Sequence, residues 1–225
     1  MPVFVDGDGP GAQKLGARFK VRGYPTMVLL AADGREITRL PGEAELRELL
    51  RLLQLGLAGG QPVKSVLAQA RSGAKLDANA WRLLAFYGWD VDESQLVPAA
   101  ERAGVLAELA AACPVPELAT RLRLKALAAS DGQRGLKADA LQRQRTLALL
   151  ADARAARAQA DVLVNAAPEI ATALAPETGP ERERVKAALD AALVRLQRDA
   201  TLSRGDRLSA LASRVALARL EQPKK

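Results

Sequence analysis

Apolar residues along this chain follow two different periods, and the change between them falls near residue 58. Upstream, short apolar runs are divided by turn residues. Pro2-Val3-Phe4-Val5-Asp6 reads as a buried strand, and Gly7-Asp8-Gly9-Pro10-Gly11 ends it in a loop. Ala12, Leu15 and Phe19 then recur at helical spacing, with Gln13, Lys14 and Arg18 between them. This predicts a short amphipathic helix that fades at Val21-Arg22-Gly23. Thr26-Met27-Val28-Leu29-Leu30 predicts a strand. Ala32-Asp33-Gly34 predicts a hairpin turn, because Asp-Gly tolerates positive φ. Glu36-Ile37-Thr38-Arg39-Leu40 alternates as a return strand, and Pro41-Gly42 stops it. Leu46, Leu49, Leu50, Leu53 and Leu57 stripe a second helix, with Glu43 and Glu45 at its positive N-terminal end. The predicted order over residues 1–58 is strand, helix, strand, strand, helix.

Leu57-Ala58-Gly59-Gly60-Gln61-Pro62 is the predicted domain boundary. Everything after it reads helical, which makes residues 62–222 a larger all-helical domain. The pattern predicts helices at 62–72, 78–88, 94–112, 116–130, 136–167, 180–200 and 206–221. Breaks are expected at Ser72-Gly73, Gly88-Trp89-Asp90, Cys113-Pro114, Asp131-Gly132 and 175–180. Asp77, Ser94 and Asp206 are the expected N-caps. No fixed repeat period stands out, and helix propensity accounts for the alanine-rich stretch 151–167.

Composition agrees with this division. The 225 residues are 49% hydrophobic, enough for a sizeable core, and only 3% aromatic, which favours helices over a β-rich fold. The formal net charge is +7; residues 1–58 hold 8 of the 33 Lys and Arg and 7 of the 26 Asp and Glu. The excess is therefore downstream. It raises nucleic acid as a partner. The arginines alternate with acids along helical patterns, however, and stacking aromatics are scarce outside Trp81–Trp89, so solvated helix faces are expected and no nucleic acid. No apolar run is long enough to span a bilayer. Met1-Pro2 leads straight into a strand pattern without a basic start, as in a cytosolic protein or one missing its natural N-terminus.

Histidine is absent, which excludes histidine-based triads and the common zinc sites from this chain alone. Gly7-x-Gly9-x-Gly11 lacks dinucleotide-binding spacing. Asp90, Asp92 and Glu93 are too few for a calcium loop and read as capping and turn residues. No metal or cofactor site is expected. Cys113, the one cysteine, has no internal disulfide partner. It is either a reactive or intermolecular thiol, or a small, partly buried residue at a helix end; the second reading is preferred. Trp81, Leu84, Ala85, Phe86, Tyr87 and Trp89 could line a groove, but a core for the helical part is preferred.

Residues 21–42, VRGYPTMVLLAADGREITRLPG, resemble the second half of a thioredoxin domain. Gly-Tyr-Pro-Thr between a short helix and an apolar strand carries the resemblance. The Asp-Gly hairpin, Arg39-Leu40-Pro41-Gly42 and the leucine-striped helix extend it over about residues 2–57, a quarter of the chain. It implies an incomplete thioredoxin-like fold, α+β, ahead of the helical domain. Residues 2–6 would correspond to the family's strand after its active-site helix. In that family the peptide bond before the matching proline is cis, and the bend presents backbone to a substrate polypeptide. The resemblance thus makes Tyr24, Pro25 and Thr26 substrate-contact residues and a polypeptide the expected partner.

Domains of that family begin with a strand, a helix, a central strand and a helix opening with Cys-x-x-Cys, and none of these is present before residue 2. Thiol–disulfide exchange needs an activated thiolate and a second thiol to resolve the mixed disulfide, and Cys113 cannot supply both. The resemblance therefore implies part of a thiol–disulfide oxidoreductase, inactive alone and without catalytic residues of its own. The parent would sit in a bacterial periplasm if an upstream signal is missing. The alternative is a non-catalytic polypeptide-binding or scaffold protein that uses the proline loop and the helical surface. The family's central strand would lie between residues 2–6 and 26–31. Its absence predicts open strand edges, low stability in 1–57, and cover from helices downstream.

Overall fold

The computed structural model describes residues 3–21, 25–41, 46–57, 60–92, 96–130 and 138–220. These residues are mostly helical, with one two-stranded antiparallel sheet. They form two compact units, residues 1–101 and 102–225.

Unit 1 holds α1 (Ala12–Arg18), β1 (Thr26–Leu30), β2 (Glu36–Pro41), α2 (Leu46–Leu57), α3 (Val63–Arg71) and α4 (Ala78–Phe86). β1 and β2 pair from Thr26↔Pro41 to Leu30↔Glu36, with an irregularity between Leu29 and Leu30. The turn forms where Asp-Gly predicts it. Gly34 has φ 82°, and Asp33 Oδ1 accepts the Arg35 N–H at 3.0 Å. α2 packs on the hairpin so closely that a Cβ on Gly56 would lie 2.0 Å from a Leu29 methyl. Any larger residue there would push the Leu29 side chain aside, which offsets the helix penalty of glycine. α3 packs against β2 and α4, so helices beyond the 57–62 linker do cover the hairpin.

Residues 3–6 differ from expectation. They form no strand, and Phe4 is 92% exposed. An apolar run becomes a buried strand only when a neighbour accepts its backbone bonds, and no described strand lies beside this one. The loop after it forms as read: Asp6 Oδ1 accepts the Asp8 N–H at 3.0 Å.

The boundary between units falls within α5 (Ala99–Ala112). Unit 2 continues with α6 (Pro116–Ala128), α7 (Ala140–Ala151), α8 (Ala153–Ala158), α9 (Ala160–Leu174), α10 (Pro180–Arg198) and α11 (Arg204–Arg219). α9 is its centre, packed by α6, α10 and α11. Its buried Val162, Leu163, Val164, Ile170 and Leu174 form a broad apolar face, while Asn165 and Glu169 stay exposed on the other side.

The helix predicted at 136–167 is three helices. Asp152 ends α7 and caps α8, its Oδ1 accepting the Ala155 N–H at 2.9 Å. The capping box Asp139–Gln142 starts α7. Asp77 caps α4 as expected, but Asp206 does not cap α11: Ser203 does, accepting the Asp206 N–H at 3.0 Å. A serine three residues before an acid is itself a capping pattern. The expected features at Glu43, Glu45, Ser94 and Asp131-Gly132 lie outside the described residues.

α9 carries a kink with a visible cause. Ala166 leaves helical geometry at φ −137°, ψ 18°, two residues before Pro168. Proline has no N–H for the carbonyl four residues back, which is that of Val164. The buried Ser213 of α11 donates its Oγ–H to that carbonyl at 2.7 Å. Ser213→Ala is expected to destabilise unit 2 by about 1–3 kcal/mol, the cost of an unsatisfied buried carbonyl. In a Pro168→Ala background, where residue 168 regains an N–H, the loss should be smaller. Chemical denaturation of the four-variant cycle checks this, and additive effects would contradict it.

Candidate functional site

The proline segment lies at the start of the hairpin. Pro25 is exposed, and Thr26 opens β1 opposite Pro41. Tyr24 lies outside the described residues. The chain leading into the loop is fixed from behind. Val21 pairs with Asp92 in an isolated antiparallel bridge. The carbonyls of Phe19 and Lys20, at the end of α1, accept hydrogen bonds from Arg39 at 2.8 Å each. A helix C-terminus concentrates unpaired carbonyls and negative potential, so a buried guanidinium suits it.

Arg39 is the hub of this arrangement, and its side chain has no solvent exposure. Nε and Nη2 donate to the two Glu36 oxygens at 2.8 and 2.7 Å, and Asp92 Oδ1 stands 3.5 Å from Nη1. Burial opposes the charge, but the Glu36 hydrogen bond and the charges of Glu36 and Asp92 hold the guanidinium more firmly protonated than usual. Asp92 Oδ2 also accepts the Leu96 N–H at 2.9 Å. One arginine thereby joins the end of α1, the return strand and the turn after α4.

The aromatic cluster belongs to this unit's interior. Trp81, Tyr87 and Trp89 are buried, and the Trp89 indole N–H donates to Leu84 O at 2.8 Å. Tyr87 and Trp89 meet edge to face with centroids 5.1 Å apart. Burial first, then Asp92, pushes the Tyr87 phenol well above its ordinary range, so it stays protonated.

Cys113 lies in unit 2. It is buried at the end of α5, with its thiol 3.6 Å from Val115 O, and burial raises its pKa. A reactive thiol needs the opposite shift. Among the described residues, no group of three or more His, Cys, Asp or Glu side chains could hold a metal ion, and no helix is long and apolar enough to cross a membrane.

The arginine excess is not confined to solvated helix faces, because several arginines are structural. Arg143 Nε donates to Leu174 O at 2.9 Å, and Arg182 bonds to Ala175 O and Pro176 O, closing the end of α9. Arg195 does the same for Leu150 at the end of α7. Arg121 of α6 forms a two-pronged pair with Asp161 in the first turn of α9. Burial raises the Asp161 pKa, but the Arg121 charge and hydrogen bond outweigh it, and the carboxyl ends below its ordinary 3.8. A depressed folded-state pKa stabilises the fold above the unfolded value. That contribution is lost as pH falls through the folded value. Unit 2 should therefore lose stability on acidification below about pH 4. Asp161→Asn should lose less on acidification, as equilibrium denaturation across that range would show.

These are the residues that carry the geometry. Comparison with known protein families, with curated proteins and with solved structures finds no match for this chain.

Proposed function

We propose that unit 1 contains the substrate-facing half of a thioredoxin-like domain, from a thiol–disulfide oxidoreductase of periplasmic type, and that this chain does no redox chemistry alone. The observation that supports this most is local. An exposed Pro25 immediately precedes an apolar strand, which turns through Asp-Gly into a return strand and then a leucine-rich helix. Arg39 holds the chain before the loop in place. In this reading Tyr24, Pro25 and Thr26 contact an extended polypeptide, and Cys113, the one cysteine of these 225 residues, does not supply the reacting thiol pair.

The buried Cys113 favours a second reading, in which no electron transfer is intended and the same loop binds polypeptide as an interaction surface. Both readings expect the loop to bind. Titration with an unfolded, reduced insulin B chain tests it by nuclear magnetic resonance. Shifts should concentrate at Thr26 and its neighbours and weaken in Pro25→Ala. Shifts unaffected by that substitution would remove the loop from the account.

A further inference from the structure

Among the described residues, one side of β1 is open at Val28 and Leu30. Arg39 O accepts the Gly88 N–H at 2.9 Å, so this carbonyl points away from β1. Its cross-strand partner Val28 therefore occupies a non-hydrogen-bonded pair of the ladder, with its own N–H and C=O directed outward. The turn gives the same parity. Ala31 donates inward to Arg35 O at 2.8 Å, which places Leu29 and Met27 inward and Val28 and Leu30 outward. Among the described residues, Val28 and Leu30 meet no backbone partner on that side. Such an edge is a template for one kind of occupant, an extended backbone.

The chain also carries an unpaired segment of strand-forming residues. Val3, Phe4 and Val5 are 72%, 92% and 45% exposed, belong to no sheet, and are of β-branched and aromatic type. At about 3.3 Å per residue, three extended residues reach along the stretch from Val28 to Leu30. We propose that residues 3–5 of one copy add as a strand to the β1 edge of a second copy, and that reciprocal exchange closes a two-fold dimer. The exchange covers an open edge and three exposed apolar side chains in each copy at once. It rests on the hairpin parity and the exposed segment alone, independently of the redox reading.

Sedimentation of the full chain over a dilution series tests it, combined with amide exchange at Val28 and Leu30. The expected result is a reversible monomer–dimer equilibrium in which those two amides exchange more slowly in the dimer. Phe4→Asp should weaken the dimer by about tenfold or more. It should leave the circular dichroism unchanged, since Phe4 is almost fully exposed; Val3→Asp is the second variant should it not. A monomer at every concentration overturns the proposal. So does a dimer insensitive to both variants, or slow exchange at Val28 and Leu30 in a monomer, where the segment pairs within its own copy.

Discussion

Arg39→Ala is expected to unfold unit 1 while leaving unit 2 intact. The substitution takes the guanidinium away from Glu36 and from the buried Asp92, and takes its two donors away from the helix-end carbonyls of Phe19 and Lys20. Breaking a buried ion pair from one side costs about 3–5 kcal/mol, a large part of a small unit's stability. The two tryptophans, Trp81 and Trp89, both lie in unit 1, so tryptophan fluorescence reports on it alone. Far-ultraviolet circular dichroism is dominated by the helices of unit 2. In a denaturant titration, Arg39→Ala should move the fluorescence transition to lower denaturant, or abolish it, while the main dichroism transition stays in place. Arg39→Lys should fall between, because it keeps the charge but loses the planar fork that reaches Glu36 and the α1 carbonyls together. Movement of both transitions by equal amounts would mean that Arg39 is not specific to unit 1.

Arg121→Ala is expected to give the mirror image. The pair with Asp161 ties α6 to the start of the central helix α9, and the arginine side chain is 3% exposed. Its loss removes the paired guanidinium from the mostly covered Asp161 and leaves only the Lys125 charge, at a cost of about 3 kcal/mol, the lower end of the range because the acid is partly solvated. The dichroism transition should shift and the tryptophan transition should not. Asp161→Asn also breaks the charge match, so the double variant should cost less than the sum of the singles. Strict additivity would show that the pair contributes little.

Local rules were the legible part of this fold. The hairpin Thr26–Pro41 and its Asp-Gly turn follow from alternation and turn chemistry, and Asp77 marks the start of α4. What failed to show needed a partner distant in sequence. Val3-Phe4-Val5 has strand composition, but a strand is a pairing, and composition does not contain the neighbour. Residues 136–167 look like one helix by propensity, yet Asp152 stops and restarts it with a single side-chain bond. Arg39 sits in a polar position of an alternating strand and would be assigned to solvent. Only Glu36, three residues earlier, hints at pairing, and nothing local points to Asp92 or the end of α1. At the candidate site, the start of β1 at Thr26 follows from the motif, while the Arg39 bonds to the end of α1 do not. The arginine excess misleads for the same reason: the carbonyls closed by Arg143, Arg182 and Arg195 belong to other turns of the chain.

The central claim is that this chain carries the polypeptide-facing part of a thioredoxin-like domain without its redox chemistry. Dithiothreitol-driven reduction of insulin disulfides by the purified chain tests it most directly. The account predicts turnover no faster than the reductant alone, and the same rate for Cys113→Ser. Clear acceleration that disappears in Cys113→Ser would contradict it, because a buried thiol of raised pKa would then be the working nucleophile.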